Sequence, residues 1–138
     1  MSAENVEFVT TAVQAFNRGD AEWMSRRCAP NCGWHPAVAG GVTGKPYRGP
    51  EGVRTFFEEL DEVCDEFRLE AEEYRDLGDH VLVLAQVRAK GKAGVEFEQT
   101  LDSVWEVSNG QLVKGRSYLS RDEALGAAAQ TATPQVGE

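Results

Sequence analysis

The stretch YRGPEGVRTFF, residues 47–57, contains the clearest structural signal in the sequence, the start of a helix at Pro50. A proline at the first helical position loses no needed backbone donor, and the carboxylate of Glu51 suits the positive end of the helix dipole. We therefore predict a helix that buries one stripe. That stripe comprises the apolar residues that follow at helical spacing: Val53, Phe56, Phe57, Leu60, Val63, Cys64 and Phe67.

Two shorter helices and a strand are predicted before this helix. Residues 4–17 carry apolar side chains at spacings of three, four and three, which is one face of a helix. Asp20 is a suitable N-cap for a second helix through Arg27. Residues 32–35 read as a short strand that Pro36 stops, and we expect the glycine-rich residues 37–45 to form the lip of a pocket.

Downstream of the third helix, strand-forming runs alternate with short turns. Asn109-Gly110 separates two apolar runs, which is a strong signal for a β-hairpin. Gly78-Asp79 and a turn at residues 90–94 separate the others. We predict a four-stranded antiparallel meander formed by residues 68–77, 81–89, 95–107 and 111–119.

The alternation of side chains predicts which face of the last two strands points inward. In residues 95–107 the odd positions are mostly apolar and the even ones include several carboxylates, so we expect the odd side to face the core. Across the turn, we expect the side chain of Leu112 on the next strand to face the core as well. A period of two then places Lys114, Arg116 and Tyr118 inward as well, so polar groups are expected to point into the core.

Length and charge limit the classes of function. The chain of 138 residues is the size of one domain, which we assign to residues 1–129, with residues 130–138 as a disordered tail. The net charge of −9 disfavours nucleic acid and membrane surfaces as partners. No apolar run is long enough to span a membrane, the N-terminus is acidic, and three cysteines argue against a disulfide scaffold. We therefore expect a cytoplasmic protein.

The order of these elements, and four local phrases, resemble one known superfamily. The phrases are FNRGD at residues 16–20, WHP at 34–36, the helix start at 47–57, and the last hairpin, with WEV before NGQL, at 105–112. Together they resemble the SnoaL-like and ketosteroid isomerase branches of the nuclear transport factor 2-like superfamily. The resemblance implies an α+β, cone-shaped fold with three N-terminal helices packed in a strongly bent antiparallel sheet. It also implies a homodimer through the outer sheet face.

For the chemistry, the resemblance directs attention to His35. In ketosteroid isomerases the general base is an aspartate just before the proline of the first strand, and His35 occupies that position here. A neutral imidazole can accept a proton at working pH. However, Ala12 and Ser103 stand where the two oxyanion donors of that mechanism would be. The absence of the two donors that the resemblance would require disfavours steroid isomerisation by that mechanism.

This sequence also lacks the usual catalytic residues of two other enzyme classes of the superfamily. The epoxide hydrolases use two aspartates and an arginine from adjacent strands, whereas the inward positions here are Gln99, Leu101 and Ser103. The cyclases use a carboxylate near the end of the last strand, where this sequence has Arg116 and Tyr118. Arg116 could hold an anionic oxygen in place of an acid, or form an ion pair with one of the many carboxylates.

The candidate site follows from these positions. Strand parity and the resemblance both place the side chain of His35 inside the cone, facing the strands that carry Ser103 and Arg116. His35 is the candidate acid or base and Arg116 its partner, the alternative being that His35 lines a pocket without catalysis. Cys28, Cys32 and His35 lack a fourth ligand nearby and no phosphate-binding glycine loop occurs, so neither a metal nor a cofactor is predicted. The candidate ligand contacts are Ser103, Trp105, Tyr118, Gln99, Tyr47 and Phe56.

Two classes of function remain open at this point. One is a SnoaL-like protein that binds a small hydrophobic, carbonyl-containing molecule, as an isomerase, cyclase or dehydratase with His35 as acid or base. The other is a non-catalytic ligand-binding or dimeric assembly domain. An enzyme needs an open pocket that His35 can reach, whereas an assembly domain can have its cone filled by Trp105, Tyr118 and Phe56.

Overall fold

The computed structural model describes residues 2–37 and 46–132, which form four helices and one seven-stranded sheet. Residues 38–45 of the pocket lip predicted at 37–45, and residues 133–138 of the tail predicted at 130–138, lie outside the described residues. The helices are α1 (Ser2–Asn17), α2 (Ala21–Arg26), α3 (Gly49–Val63) and α4 (Arg121–Ala132). The strands are β1 (Cys28–His35), β2 (Tyr47–Arg48), β3 (Cys64–Asp76), β4 (His80–Gly91), β5 (Glu96–Thr100), β6 (Asp102–Ser108) and β7 (Gln111–Tyr118).

The predicted α+β fold is confirmed. The strands lie in the order β2-β1-β7-β6-β4-β3, with β5 also paired to β4, in a curved sheet that does not close. All pairings are antiparallel except that of β1 with β7, which is parallel. Helices α1, α2 and α3 pack on the inner face of the sheet, where most of the apolar core lies.

The predicted starts of the second and third helices are confirmed, but the predicted end of the third is wrong. Asp20 accepts a hydrogen bond from the backbone N–H of Trp23, as an N-cap should. Helix α3 has proline in its first turn and ends at Val63. Cys64 is already extended and pairs with Gly91 of β4, so Cys64 and Phe67 belong to a strand. Their apolar side chains are compatible with the spacing of a helix and with that of a strand.

The first strand is longer than predicted. Strand β1 begins at Cys28, before the predicted start at Cys32, and its register against β7 is irregular between Cys28 and Gly33. Pro30 lies within this irregular stretch, where a residue without an N–H removes no regular ladder bond. The end of the strand agrees with the prediction, because β1 stops at His35, before Pro36.

The predicted long strand at residues 95–107 is divided at Leu101 into β5 and β6. At this point the Asp102 carboxylate accepts the backbone N–H of Ala85 in β4, at 2.9 Å. The Leu101 N–H still donates to the Ala85 carbonyl, so the register continues across the break. A side chain has therefore replaced one bond of the ladder, and the buried carboxylate marks the boundary between the two strands.

The last hairpin contains the main departure from the predicted pattern. Asn109 and Gly110 both have positive φ, at 55° and 74°, as the predicted two-residue turn requires. Beyond the turn, however, the register shifts between Glu106 and Val107, which face Lys114 and Leu112. This bulge adds one residue to β7 and reverses its alternation.

The inward positions of β7 are therefore Leu112, Gly115 and Ser117, all of which are buried. Lys114 and Arg116 are exposed on the outer face. The prediction that Lys114, Arg116 and Tyr118 point into the core is wrong, because it assumed an unbroken period of two across the bulge. The bulge also keeps the charged side chains of Lys114 and Arg116 in water, which avoids the free-energy cost of burying them.

Helix α4 covers part of the outer sheet face. Ala124 and Ala128 pack against Leu82, Leu84 and Val104, which point away from the cone. The helix extends to Ala132, three residues into the predicted tail. None of the described helices is both long and apolar enough to cross a membrane.

Candidate functional site

The inner face of the curved sheet and helices α1 to α3 enclose a cavity, which we call the cone cavity. The space open to the centre of a water molecule within it is about 60 Å³. It is lined by aliphatic and aromatic side chains together with two serines. The lining residues are Val13, Phe16, Met24, Trp34, Pro36, Ala37, Val53, Phe56, Phe57, Leu60, Phe67, Leu69, Leu101, Ser103, Trp105, Leu112 and Ser117.

Trp34 is the most unusual residue of this lining. Its indole Nε1 is buried and has no hydrogen-bond partner among the described residues. The ring packs against Trp105 at 5.4 Å and Phe56 at 5.9 Å between centroids. A buried donor without a partner costs about 1–3 kcal/mol.

The position of the Trp34 ring depends on a glycine in the neighbouring strand. Trp34 pairs with Gly115 of β7, and a Cβ placed on Gly115 would lie 2.4 Å from Cζ3 of the indole. No side chain other than hydrogen leaves room for the ring there. The bulge in β7 is what aims Gly115, and not Lys114 or Arg116, at Trp34.

The other polar groups of the lining already have partners. The indole N–H of Trp105 donates to Oγ of Ser103 at 2.7 Å, and the backbone N–H of Ala37 donates to Oγ of Ser117 at 2.7 Å. Each serine hydroxyl retains its own O–H donor. The described lining of the cone cavity thus offers hydrogen-bond donors, and none of its side chains titrates near neutral pH.

His35 and Arg116 are neighbours, but they lie outside the cone cavity. Trp34 points into the cavity, so the next residue on β1 points to the outer face, and His35 pairs there with Arg116 of β7. The prediction that the side chain of His35 lies inside the cone is wrong. Adjacent residues of a strand face opposite sides, and Trp34 occupies the inner one.

On the outer face, His35 lies among basic groups. Burial lowers the pKa of His35 below its usual value, and the nearby charges of Arg116, Lys114 and Arg48 lower it further. The imidazole is therefore neutral at pH 7. It lines a broad open groove between the end of β7 and α4, together with Arg116, Tyr118 and Glu123. We call this the outer groove.

The remaining predicted contacts are divided between these places. Phe56, Ser103 and Trp105 line the cone cavity, whereas Tyr118 lines the outer groove. Tyr47 is buried beside Phe56, and its hydroxyl donates to the carboxylate of Glu59 instead of facing the cavity. Gln99 is half-buried outside the cavity lining, and its side-chain NH₂ group has no partner among the described residues.

Sequence reasoning missed Trp34 and Ser117 as lining residues. For Trp34 and His35, strand alternation allows only one to face the cone, and strand parity together with the resemblance led to the choice of His35. The charges of Lys114 and Arg116 favoured the opposite orientation of β7, because burying two cations in an apolar core is costly. Turning them outward makes Ser117 face inward.

The three cysteines are buried, and all are free thiols. Burial, with the neighbouring Cys32, raises the pKa of Cys28 to about 12. Burial also raises the pKa of Cys64. Among the described residues, no three histidine, cysteine, aspartate or glutamate side chains are grouped closely enough to hold a metal ion.

A comparison with protein families bears directly on this architecture. The sequence profile of the SnoaL-like domain matches residues 9–115, which is most of the chain. The chain belongs to the SnoaL-like family. This confirms the resemblance drawn from the sequence phrases. No curated protein sequence matches the chain at a significant level.

Solved structures share the fold of this chain. An NTF2-like protein of unknown function from Burkholderia pseudomallei is 23% identical with a TM-score of 0.76, covering 94% of this chain and 97% of that one. A hypothetical protein with a ketosteroid isomerase-like fold from Catenulispora acidiphila, in complex with trimethylamine, is 15% identical with a TM-score of 0.73, covering 89% of this chain and 92% of that one. IdmH, a putative polyketide cyclase from Streptomyces antibioticus, is 20% identical with a TM-score of 0.66, covering 90% and 96%. At these identities the likeness shows the fold alone.

Proposed function

We propose that this SnoaL-like protein binds a small, flat, largely apolar molecule in its cone cavity and holds an acceptor oxygen of that molecule with the indole N–H of Trp34. One observation carries the proposal. Trp34 lines an apolar cavity, and its Nε1 is buried without a partner among the described residues. A carbonyl oxygen bound there would satisfy the donor and recover the cost of burying it.

The composition of the cavity wall supports this ligand class. Phe56, Trp34 and Trp105 pack edge-on or tilted against one another, which presents ring faces and edges suited to a flat ligand. The serine hydroxyls of Ser103 and Ser117 are the remaining polar side chains of the described lining that could orient it. Ligand sites of this kind are mostly apolar with a few polar groups.

The size of the cavity limits the ligand and requires movement. A volume of about 60 Å³ is below the roughly 150 Å³ of an engineered cavity that takes up benzene. A six-membered ring therefore needs part of the lining to shift. Besides Trp34, whose ring packs on Gly115, the large half-buried side chains of the described lining are Phe16, Phe57, Phe67 and Leu101, and these are the ones that we expect to move.

Binding without proton transfer is the form of the proposal that the geometry favours. His35, the candidate acid or base, lies on the opposite face of β1 from the cavity. An isomerase, cyclase or dehydratase reaction in the cone would need a titratable group within hydrogen-bond reach of the ligand. The described lining offers serines and indoles instead, which can position and polarise a carbonyl.

The test compares two ligands of similar shape that differ in the acceptor. We expect benzamide to bind more tightly than toluene by about two- to tenfold, which is the net worth of one hydrogen bond. Trp34→Phe should remove that preference. Trp23→Phe is the matched control, because Trp23 lies under Arg27 and outside the cavity lining. Equal affinities for benzamide and toluene in the wild-type protein would contradict the role of Trp34.

A further inference from the structure

The outer face of strands β2, β1 and β7 carries four basic side chains in adjacent positions. Gly33 of β1 pairs with Arg48 of β2 on one side and with Lys114 of β7 on the other. Two residues along, His35 pairs with Arg116. The alternation that turns Trp34 and Gly115 inward turns all four basic groups to the same outer face. We call these four residues the basic cluster.

The cations of this cluster have no ion-pair partner within the described part of the chain. Arg48, Lys114 and Arg116 are exposed, and none forms a salt bridge with a described carboxylate. Several cations elsewhere in the described part of the chain are paired. Arg88 and Arg121, for example, each contact two carboxylates. In a chain of net charge −9, three adjacent unpaired cations are a local excess of positive potential.

A glycine leaves room for these groups to converge. A Cβ placed on Gly33 would lie 3.2 Å from Nε2 of His35 and 3.9 Å from Nη1 of Arg48. The imidazole and the guanidinium therefore both cover the backbone of Gly33. Because the neighbouring cations and burial lower the pKa of His35, the ring adds a neutral hydrogen-bonding group and no fourth charge at pH 7.

The basic cluster adjoins the cone cavity. Pro36, Ala37 and Ser117 line both the cone cavity and the outer groove that contains His35 and Arg116. These three residues form the wall between the two spaces, at the ends of β1 and β7. To reach His35 and Arg116, a ligand of the cone would have to pass this wall at the ends of β1 and β7, where the backbone N–H of Ala37 donates to Oγ of Ser117.

We propose that the ligand of the cone cavity is an organic anion whose carboxylate is held at the outer groove by Arg116 and His35, with Arg48 and Lys114 adding favourable potential. This inference rests on the proposed function, because it assigns a charge and an orientation to the same ligand. The flat apolar body lies in the cone, and the carboxylate lies outside the wall. Guanidinium groups suit carboxylates because they donate two parallel hydrogen bonds.

Other charged and titratable groups facing the groove shape this site. Glu123 of α4 lines the wall opposite Arg116 and disfavours anions placed close to the helix. Tyr118, on the same wall as Arg116, adds a hydroxyl group. The carboxylate is therefore placed toward β1, between His35 and Arg116, and away from α4.

The test measures the affinities of cinnamate and its neutral analogue cinnamamide by isothermal titration calorimetry at low ionic strength. Both have the same flat apolar body, and a two-carbon spacer separates the ring from the charge or the amide. We expect cinnamate to bind about fivefold more tightly, a modest factor because Arg116 is exposed. Added salt should reduce the affinity for cinnamate and leave that for cinnamamide unchanged.

Arg116→Gln should reduce the preference for cinnamate to about unity while cinnamamide binding is retained. Arg68→Gln is the matched control, since Arg68 is an exposed arginine of β3 without a salt bridge to a described residue and lies outside both the cone cavity and the outer groove. Equal affinities for the two compounds, or a preference that survives Arg116→Gln, would overturn this inference and leave the proposed function standing. Failure of both compounds to bind would overturn the proposed function as well.

Discussion

Gly115 lies directly beneath the indole ring of Trp34. A Cβ at position 115 would be 2.4 Å from Cζ3 and 2.5 Å from Cε3 of that ring, closer than non-bonded carbon atoms approach. The contact joins β1 to β7 at the wall of the cone cavity. The indole Nε1 of Trp34 has no partner among the described residues, and Gly115 determines where it lies.

Gly115→Ala should therefore destabilise the protein and displace the Trp34 ring. Adding a methyl group to a filled site costs typically about 1–3 kcal/mol. Chemical denaturation would measure the free energy of unfolding. The control is Gly126→Ala in α4, where the added Cβ meets nothing within 4 Å and should stabilise the helix slightly.

The same contact predicts coupling between the two positions. In the Gly115→Ala/Trp34→Phe double variant the smaller ring gives the new methyl group room, so the destabilisation should be less than the sum of the two single changes. Denaturation of the four members of this cycle measures the coupling. Strict additivity would show that the ring does not lie on Gly115.

Asp102→Asn should lower the free energy of unfolding by about 1–3 kcal/mol. The Asp102 side chain is fully buried, and its oxygens accept hydrogen bonds from Ala85 at 2.9 Å and from Arg121 at 2.9 and 3.0 Å. The asparagine keeps an acceptor for Ala85 but loses the charge that holds Arg121 and α4. Thermal denaturation gives the comparison, and Glu73→Gln, at the exposed pair with Arg75, should leave the midpoint within error.

The free energy of unfolding should decrease as the pH is lowered through the titration of His35. Burial lowers the pKa of His35 in the folded protein, and the basic groups around it, Arg116 first, lower it further. The unfolded chain, whose histidine titrates near 6.5, therefore takes up its proton first as the pH falls, which favours unfolding below about pH 6.5. Urea denaturation at pH 7.5 and 5.5 should show a smaller loss for His35→Gln than for wild type. An equal loss in both proteins would contradict the placement of His35 among the cations.

The cysteines should react slowly in the folded protein. Cys28, Cys32 and Cys64 are buried, burial with the neighbouring Cys32 raises the pKa of Cys28 to about 12, and burial raises that of Cys64. Since the thiolate is the reactive form, labelling with a thiol reagent at pH 7.4 should be slow and become fast in denaturant. Rapid reaction of any one thiol under native conditions would show that its site is open.

The parts of the fold that the sequence predicts well are those with local signals. The Asp20 cap, the proline in the first turn of α3 and the Asn109-Gly110 turn each depend on a few adjacent residues, and all three are confirmed. The junction between α3 and β3 was misplaced because Cys64 and Phe67 are apolar at positions compatible with either period. Pairing with β4 decides between the two, and that pairing is not local.

The site was only partly predictable for the same reason. Phe56, Ser103 and Trp105 line the cone cavity as the alternation of residues 95–107 and the helical stripe indicate. The bulge between Leu112 and Lys114 depends on the register of two strands, and no residue type in the sequence indicates it. It reversed the expected orientation of β7 and, with it, the expected place of Arg116.

The most direct test of the central claim is the ¹H–¹⁵N NMR signal of the Trp34 indole during titration with benzamide. The chain has three tryptophans, so three indole signals are expected and can be assigned with single tryptophan-to-phenylalanine variants. A hydrogen bond from the buried Nε1 to the carbonyl should move the Trp34 proton downfield, with smaller changes at Trp105 and none at Trp23. Saturating benzamide that leaves the Trp34 signal unmoved would contradict the account.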